Sequence, residues 1–317
     1  MPKGNTMNIA FGPVPSRRLG RSMGINHIPP KICSYACVYC QLGKTPKMQM
    51  HRQVYYRPQE LYRSVCQKVD EVRKQKEVID YLAFVPDGEP MLDVNLGIHI
   101  ELLKSLSIPI AVISNGSLIS SSTVCKDLCK ADWISLKMDA VTELLWRTIN
   151  RPHGRLNLHQ ILEGMLFFRK EYTGTLVTET MLLKGMNDSD KSFHQIGQFI
   201  AHLQPEVAYL SIPTRPPADK NVRPADPGSI NIAYQIMKNY VNKVELLVSC
   251  EGNTFSSAGD IRKDILSITA VHPMRLEAIE TLLSKKKAGW TIIEKMLKQG
   301  ELVKTSYEGN IFFMRNY

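Results

Sequence analysis

The chain has 317 residues and a formal net charge of +10; 44% of its residues are hydrophobic and 22% are charged. These values are near the average for soluble globular proteins, and the length allows one large domain and a small one. No apolar stretch approaches the ~18 residues of a membrane helix, and the N-terminus lacks the apolar run of a signal peptide, so we expect a cytoplasmic protein without membrane segments.

Strand and helix patterns alternate along the first 250 residues. The predicted strands are short, β-branched and apolar, as parallel strands covered on both faces are, and they span 22–28, 79–85, 108–113, 133–137, 175–183 and 206–212. Helical patterns lie at 58–76, 94–106, 119–130, 157–172, 189–203 and 229–241. Six βα repeats predict a parallel sheet with right-handed crossovers, and periodicity alone leaves an open sheet and a barrel as alternatives.

The residues after position 250 have a different pattern. Residues 251–272 predict a connector with a short helix, and residues 274–315 predict two helices followed by a hairpin. Two helices and a hairpin are the outline of a winged-helix module. We therefore divide the chain into a core domain, 1–250, and a connector with a winged-helix-like domain, 251–317. The alternative for the second part is a small lid packed on the core.

Positive charge is concentrated near the N-terminus. Residues 1–63 contain ten Lys and Arg residues and one acid, Glu60. This segment could contact an anionic partner such as nucleic acid, or it could be a solvated loop. Arg17, Arg18 and Arg21 could clamp a phosphate or carboxylate, or they could form structural ion pairs.

The chain contains seven cysteines, an odd number that argues against a disulfide framework. Four of them occupy helical or strand-like positions and are expected to be structural thiols: Cys66, Cys125, Cys129 and Cys250. The other three form a CxxxCxxC motif: Cys33, Cys37 and Cys40. Structural zinc takes four protein ligands and ordinary [4Fe–4S] clusters use four cysteines. Three thiolates therefore leave one metal position open for a substrate or cofactor.

Several segments together resemble the radical S-adenosylmethionine (SAM) superfamily. The cysteine motif has an aromatic residue, Tyr39, before its last cysteine. Residues 87–90 (DGEP) resemble the family's GGEP segment, with Asp in place of the first Gly, and residues 114–116 (SNG) resemble its TNG segment. Residues 135–139 (SLKMD) stand where members place polar contacts to SAM. Each motif lies at the carboxyl end of a predicted strand, where α/β barrels carry their active sites.

This resemblance implies a partial (β/α)6 barrel that uses a [4Fe–4S] cluster and SAM. The three cysteines of the motif are expected to hold the cluster, whose open iron binds the amino and carboxylate groups of SAM. One electron from the cluster splits the sulfonium C–S bond, and the 5′-deoxyadenosyl radical abstracts a hydrogen from the substrate. An external electron donor and a low-oxygen setting are implied, because such a cluster is sensitive to oxygen.

The resemblance also assigns SAM contacts. The residues concerned are Tyr39, Gly88, Glu89, Pro90, Ser114, Asn115, Ser135, Lys137 and Asp139. Tyr39 is expected to lie against the adenine, and Glu89 near the SAM amino group. Ser114 and Asn115 could hydrogen-bond SAM or cap the following helix. Lys137 is expected to point inward and to pair with the SAM carboxylate or with an acid such as Asp139 or Glu179.

Residues 11–45 more narrowly resemble a sub-family grouped with tRNA wyosine synthase-like proteins, as do residues 211–218 and 268–275. Wyosine synthase has additional N-terminal cysteines for a second cluster. No cysteine precedes Cys33 here, so we expect a single cluster and leave the substrate open.

Two substrate classes remain within this prediction. The basic N-terminal segment and the terminal module favour an anionic substrate such as tRNA or other RNA, whereas the same module could dock a protein or peptide. A small-molecule substrate would leave the module unexplained. The alternative from another class is a zinc-stabilised, non-enzymatic nucleic-acid-binding protein. The oligomeric state stays open.

Overall fold

The computed structural model of the chain describes residues 9–248, residue 255 and residues 260–316. An antiparallel hairpin opens the fold, with strands β1 (Ala10–Ser16) and β2 (Gly20–Ile25). β2 corresponds to the first predicted strand, whereas β1 was not predicted because it contains Pro13 and Pro15. Proline is confined to edge strands and bulges, and β1 is the edge of the sheet, with a register shift between Phe11 and Val14.

The strands that follow β2 form the rest of the main sheet. They are β3 (Tyr81–Phe84), β4 (Ile110–Ser114), β5 (Trp133–Lys137), β6 (Thr175–Met181), β7 (Val207–Ser211) and β8 (Val244–Leu247). The sheet order is the chain order, and every pair from β2 to β8 is parallel. The predicted α/β fold is thus confirmed: the six predicted strands are β2–β7, and β8 extends the parallel series.

The helices lie between the strands, as the βα repeats predict. They are α1 (Pro58–Lys74), α2 (Leu96–Leu103), α3 (Ser122–Leu128), α4 (Glu143–Ile149), α5 (Leu158–Glu171), α6 (Asp190–Leu203) and α7 (Pro227–Lys238). Short 3-10 turns occur at Pro90–Leu92 and Lys104–Leu106. The sequence pattern missed α4, because its seven residues bury only Trp146 and Ile149, too few for a recognisable period.

The sheet is curled, so that its two faces bury different sets of side chains. On the concave face, Ala83 of β3 shares one apolar cluster with Trp133 of β5 and Leu247 of β8. Leu19, from the turn between β1 and β2, fills the same cluster. On the convex face, the larger core packs strands such as β4 against the helices. The curl leaves the carboxyl ends of the strands around a common opening, as in a partial barrel.

The C-terminal residues form a second, smaller assembly. Its elements are α8 (Ile261–Val271), β9 (Met274–Arg275), α9 (Leu276–Lys285), α10 (Thr291–Lys298), β10 (Leu302–Tyr307) and β11 (Asn310–Arg315). The three strands form a sheet in the order β10-β11-β9. The predicted helices and hairpin are present, and the winged-helix assignment stays a prediction. The division at residues 250/251, Cys250 and residues 251–254 and 256–259 of the connector lie outside the described residues.

The C-terminal assembly packs firmly on the barrel. Phe11 and Val14 of β1 are buried in the C-terminal core, beside residues such as Phe313. The Nζ atom of Lys68 in α1 lies 3.0 Å from Oδ1 of Asp264 in α8, and both side chains are only 8% exposed. Among the described residues, none of the helices is long and apolar enough to cross a bilayer.

We expect Asp264→Ala to lower the free energy of unfolding by about 3 kcal/mol, because it leaves the buried Lys68 ammonium without its nearest carboxylate. The pair of Lys130 and Glu101 provides a matched control, since its side chains are 30% and 57% exposed. Glu101→Ala should cost less than about 1 kcal/mol. Urea unfolding followed by circular dichroism measures both changes, and equal midpoints for the two variants would contradict this prediction.

Candidate active site

A cavity of about 280 Å³ opens at the carboxyl ends of the strands. Nine of the predicted site residues line it: Cys33, Cys37, Tyr39, Cys40, Gly88, Glu89, Ser114, Asn115 and Lys137. Three do not, namely Pro90, Ser135 and Asp139. Motifs that are up to about 100 residues apart in the chain therefore face one space, as expected for residues that follow neighbouring parallel strands.

The three cysteines lie on one loop, residues 31–49, which we call the cysteine loop. Its start is joined to the DGEP segment, because Glu89 N donates to Ile32 O (2.9 Å) and Lys31 N donates to Asp87 O (2.8 Å). A Cβ atom on Gly88 would lie 1.9 Å from the carbonyl oxygen of Ile32. Only glycine allows this approach, so Gly88 sets how closely the cysteine loop meets β3.

The middle of the cysteine loop is hydrogen-bonded to the end of α4 and to the segment after β7. Ala36 N donates to Asn150 O (3.1 Å), and Val38 N donates to Ile149 O (2.9 Å). Asp219 N in turn donates to the carbonyl oxygen of Val38 (2.9 Å). The loop that carries the thiols is therefore fixed by backbone bonds to segments after β3, after α4 and after β7.

The thiols of this loop are suited to a metal cluster. Burial raises the pKa of Cys33 well above its usual value, that of Cys37 to about 12, and that of Cys40 as well. The thiols are therefore protonated at neutral pH until a metal replaces the proton. Among the residues that the structure describes, no three Cys, His, Asp or Glu side chains are grouped to hold a single ion. A four-iron cluster takes soft thiolate ligands, and the three thiols of this one loop fit that ligand type.

Glu89 connects the loops that follow β3 and β4. Its carboxylate accepts hydrogen bonds from Ser114 Oγ (2.6 Å), Asn115 N (2.8 Å) and Met91 N (3.0 Å). Burial raises the pKa of Glu89 to about 7, and these three donors offset only part of that effect. A carboxylate can accept about four hydrogen bonds, so these three donors leave capacity for one more, and Glu89 is among the residues that line the cavity.

Asn115 faces the cysteine loop and does not cap a helix. Its Nδ2 donates to Ser34 Oγ (3.1 Å) and lies 3.6 Å from Cys33 Sγ. Helix α3 begins at Ser122 with Ser121 as its N-cap. The capping alternative for Ser114 and Asn115 is therefore wrong, since the chain makes a turn at Gly116 (φ +75°) and runs on before the helix starts.

Lys137 lines the cavity, which is the inward direction favoured by the need of a buried lysine for an acidic partner. Its Nζ lies 2.7 Å from Oε1 of Glu179, which also forms an ion pair with Arg18 and accepts from Ser211 Oγ (3.0 Å). Burial alone would raise the pKa of Glu179, but Arg18 and Lys137 together hold it well below its ordinary value. Two cations thus share one carboxylate, which leaves a net positive charge on this wall of the cavity.

Tyr39 and Asp139 form a second polar group beside the cavity. The Tyr39 hydroxyl donates to Asp139, and Lys137 Nζ lies 5.3 Å from the centre of the Tyr39 ring. The Asp139 carboxylate also accepts from Asn150 Nδ2 (2.8 Å) and Met181 N (2.9 Å). Asp139 is 2% exposed and does not line the cavity, so its contact with the cavity runs through the Tyr39 hydroxyl.

The two other residues outside the cavity lining are buried in the strands and turns. Pro90 begins a 3-10 turn, and its carbonyl oxygen lies 3.3 Å from Nε2 of the buried His27. Ser135 is 1% exposed, and its hydroxyl has no hydrogen-bond partner within the described part of the chain.

Some residues at this site were not predicted from the sequence. Asn150 follows α4 and belongs to no motif, so only the contact with the cysteine loop reveals it. Met181 and Arg215 line the cavity too. Their positions at and after the ends of β6 and β7 are the signal that could have identified them.

Comparison with known proteins agrees with this geometry. Residues 28–195, more than half of the chain, match the Radical SAM superfamily. A UPF0026 protein of Methanocaldococcus jannaschii is 46% identical over 312 residues, which cover 98% of this chain and 97% of the relative. A protein of Endomicrobium trichonymphae named as a probable dual-specificity RNA methyltransferase RlmN is 24% identical over 215 residues, 65% of this chain and 59% of that protein.

The fold has solved counterparts as well. The crystal structure of a radical SAM methyltransferase from Sphaerobacter thermophilus superposes with a TM-score of 0.54 at 14% identity, over 72% of this chain and 67% of that one. Enzymes of the matched superfamily use a [4Fe–4S] cluster and SAM, which fits the three thiols and the cavity beside them. The chain therefore belongs to the radical SAM superfamily, and within it to the UPF0026 proteins, and is an enzyme of that superfamily.

Proposed function

We propose that this enzyme cleaves SAM reductively in the cavity and uses the resulting radical to remove a hydrogen atom from an RNA substrate. One observation carries the first part: three cysteines of one loop face the same cavity as the strand-end motifs. The proposal includes a cytoplasmic location, a low-oxygen setting and an external electron donor.

The cysteines Cys33, Cys37 and Cys40 would hold the cluster, which supplies the electron that splits the sulfonium bond when it is bound. The remaining acceptor position of Glu89 suits the ammonium group of SAM. The positive charge that Lys137 and Arg18 have in excess over Glu179 suits its carboxylate.

Other residues of the chain would orient SAM and exclude water. Tyr39 offers an aromatic ring at the cavity wall for the adenine. Asp139 acts through Tyr39 and is therefore a positioning residue in this proposal, because its carboxylate accepts from the Tyr39 hydroxyl and does not line the cavity. Ser135 and Pro90, which lie outside the cavity lining, would act by packing.

A basic surface surrounds the cysteine loop and supports an RNA substrate. We call it the basic rim; its residues are Lys44, Lys47, Arg151, Arg155, Lys220 and Arg223, all exposed. Backbone bonds bring these segments together, since His153 N donates to Ser34 O and Asp219 N donates to Val38 O, each at 2.9 Å. These segments also contain an acidic residue, Asp219. Its Oδ2 forms an ion pair with Nη2 of Arg151 at 3.0 Å.

The basic rim differs from the surface that the charge pattern predicted. Lys44 and Lys47 come from the basic N-terminal segment, but Arg18, Arg21 and Arg52 of that segment form ion pairs with acids elsewhere in the barrel. Arg18 and Arg21 thus form structural ion pairs, one of the two alternatives predicted for them, and Arg18 also lines the cavity. The surplus charge around the loop comes instead from residues 151–155 and 220–223, which suits a phosphate backbone. The relative named as an RNA methyltransferase supports the same substrate class.

The radical chemistry is tested by anaerobic reconstitution with iron and sulfide, addition of SAM and dithionite, and mass spectrometry of 5′-deoxyadenosine. We expect the unchanged protein to release 5′-deoxyadenosine and Cys37→Ala to release none, because one cluster ligand is lost. Cys129→Ser is the matched control, since Cys129 is exposed and distant from the cavity lining. A colourless protein that binds zinc and leaves SAM intact would overturn the proposal in favour of a zinc-stabilised binding protein.

We expect Gly88→Ala to reduce the iron retained after reconstitution severalfold, because its Cβ would displace the Ile32 carbonyl and with it the cysteine loop. Gly154→Ala is the control, since a Cβ at Gly154 meets no atom within 4 Å. Iron and sulfide per chain measure both. Equal iron content in the two variants would show that the close approach at Gly88 does not position the loop.

The RNA substrate is tested by the salt dependence of tRNA binding to the reconstituted enzyme. We expect the affinity of the unchanged enzyme for tRNA to fall steeply as the salt concentration rises. The double variant Arg151→Glu, Lys220→Glu should bind tRNA about tenfold more weakly. The slope of its affinity against salt should be lower by about 1 for each lost phosphate contact. Lys104→Glu is the control, because Lys104 lies at the opposite end of the strands, beside Thr175. Binding that responds to neither salt nor the rim variants would exclude RNA docking and favour a peptide substrate.

A further inference from the structure

We infer that Asn150 is a positioning residue that hydrogen-bonds the sulfur of Cys37 and thereby raises the reduction potential of the cluster. The inference rests on the proposed function, because it requires the cluster to be held by the cysteine loop. It concerns a residue outside the sequence motifs and outside the lining of the main cavity.

The side chain of Asn150 makes two contacts through one nitrogen. Its Nδ2 lies 2.8 Å from Oδ2 of Asp139 and 3.5 Å from Sγ of Cys37. An ionised carboxylate only accepts hydrogen bonds, so Asp139 fixes which end of the amide is the nitrogen. The same nitrogen must then present its second hydrogen in the direction of the sulfur.

The surroundings hold this arrangement rigidly. Asn150 is 3% exposed, and its backbone oxygen accepts from Ala36 N, the residue directly before Cys37. The Asp139 carboxylate is itself held by Met181 N (2.9 Å) and by the hydroxyl of Tyr39. Asn150 therefore positions the backbone and the sulfur of the same cysteine, with a supporting shell that keeps the amide from turning away.

The contact has a defined electrostatic effect. A donor directed at a thiolate ligand stabilises negative charge, and it stabilises the reduced cluster more, because that state carries one electron more. Hydrogen bonds to the sulfurs are among the factors that set cluster potentials. Loss of this donor should therefore shift the reduction equilibrium about fivefold toward the oxidised form, equal to about 40 mV at 59 mV per tenfold for one electron.

The chain offers a matched control in a second buried asparagine, Asn187. Its Nδ2 donates to the carbonyl oxygens of Asp139 and Met181, each at 2.9 Å, and within the described part of the chain it makes no hydrogen bond to a cysteine sulfur. Substitution of Asn187 therefore disturbs the same region without removing a donor to sulfur. Asn115 is less suitable, because it contacts Cys33 and also lines the cavity.

The test is the midpoint potential of the reconstituted holoenzyme, followed by EPR of the reduced cluster without substrate. We expect Asn150→Ser, which is too short to reach the sulfur, to lower the midpoint by about 40 mV at unchanged iron content, and Asn187→Ser to leave the midpoint unchanged. An Asn150→Ser variant with full iron content and an unchanged midpoint would overturn the inference, as would an equal shift in both variants.

A second measurement does not depend on how well a variant folds. The unchanged holoenzyme labelled with ¹⁵N-asparagine should show coupling of the reduced cluster to two amide nitrogens in pulsed EPR, because Asn115 also lies near a cysteine sulfur, and coupling to one amide nitrogen or to none would overturn the inference. If the unchanged protein binds no four-iron cluster, the proposed function itself fails. If it forms the cluster and releases 5′-deoxyadenosine while Asn150→Ser behaves like the unchanged protein, this inference alone fails.

Discussion

The close contact between the Gly88 backbone and the carbonyl oxygen of Ile32 is the constraint on which the site depends. It allows two reciprocal backbone bonds between residues 31–32 and 87–89, and these join the start of the cysteine loop to the end of β3. Ser114 and Asn115, at the end of β4, donate hydrogen bonds to Glu89. The cysteine loop is therefore anchored to two strands of the parallel sheet. Sites built on rigid elements hold their geometry better than sites on free loops.

Two cations inside the barrel share one buried carboxylate. Glu179 is buried, and its carboxylate stays ionised because Arg18 and Lys137 reach it from the hairpin turn and from β5. Replacing either cation would leave a buried charge imperfectly paired, which is costly in a protein interior. The same arrangement keeps Lys137 extended toward the cavity and next to the ring of Tyr39. One ion-pair group therefore serves both the stability of the strands and the charge of the cavity wall.

The C-terminal assembly contacts residues 213–215, which line the cavity. Tyr307 donates its hydroxyl hydrogen to the carbonyl oxygen of Pro213 (3.2 Å), and Arg215 Nη2 lies 3.0 Å from Nε2 of His272. Arg215 also donates to Gln41, the residue that follows Cys40. The assembly thus touches the segment after β7, which in turn touches the cysteine loop. A continuous series of contacts therefore joins the C-terminal assembly to the site. Strand β1 also contributes side chains to the core of that assembly.

The parallel strands, the cysteine motif and the strand-end motifs follow from the amino-acid sequence alone, because periodicity and short spacings encode local structure. The inward direction of Lys137 was a prediction, because alternation sets it opposite Leu136 and Met138 and a buried lysine needs an acidic partner. Packing between distant segments makes Glu179 that partner, brings Asn150 to Cys37, and sets the exposed basic residues around the cysteine loop. These contacts join segments far apart in the chain, and which of several acids or amides meets a given partner depends on how the strands and loops pack, which no local pattern records.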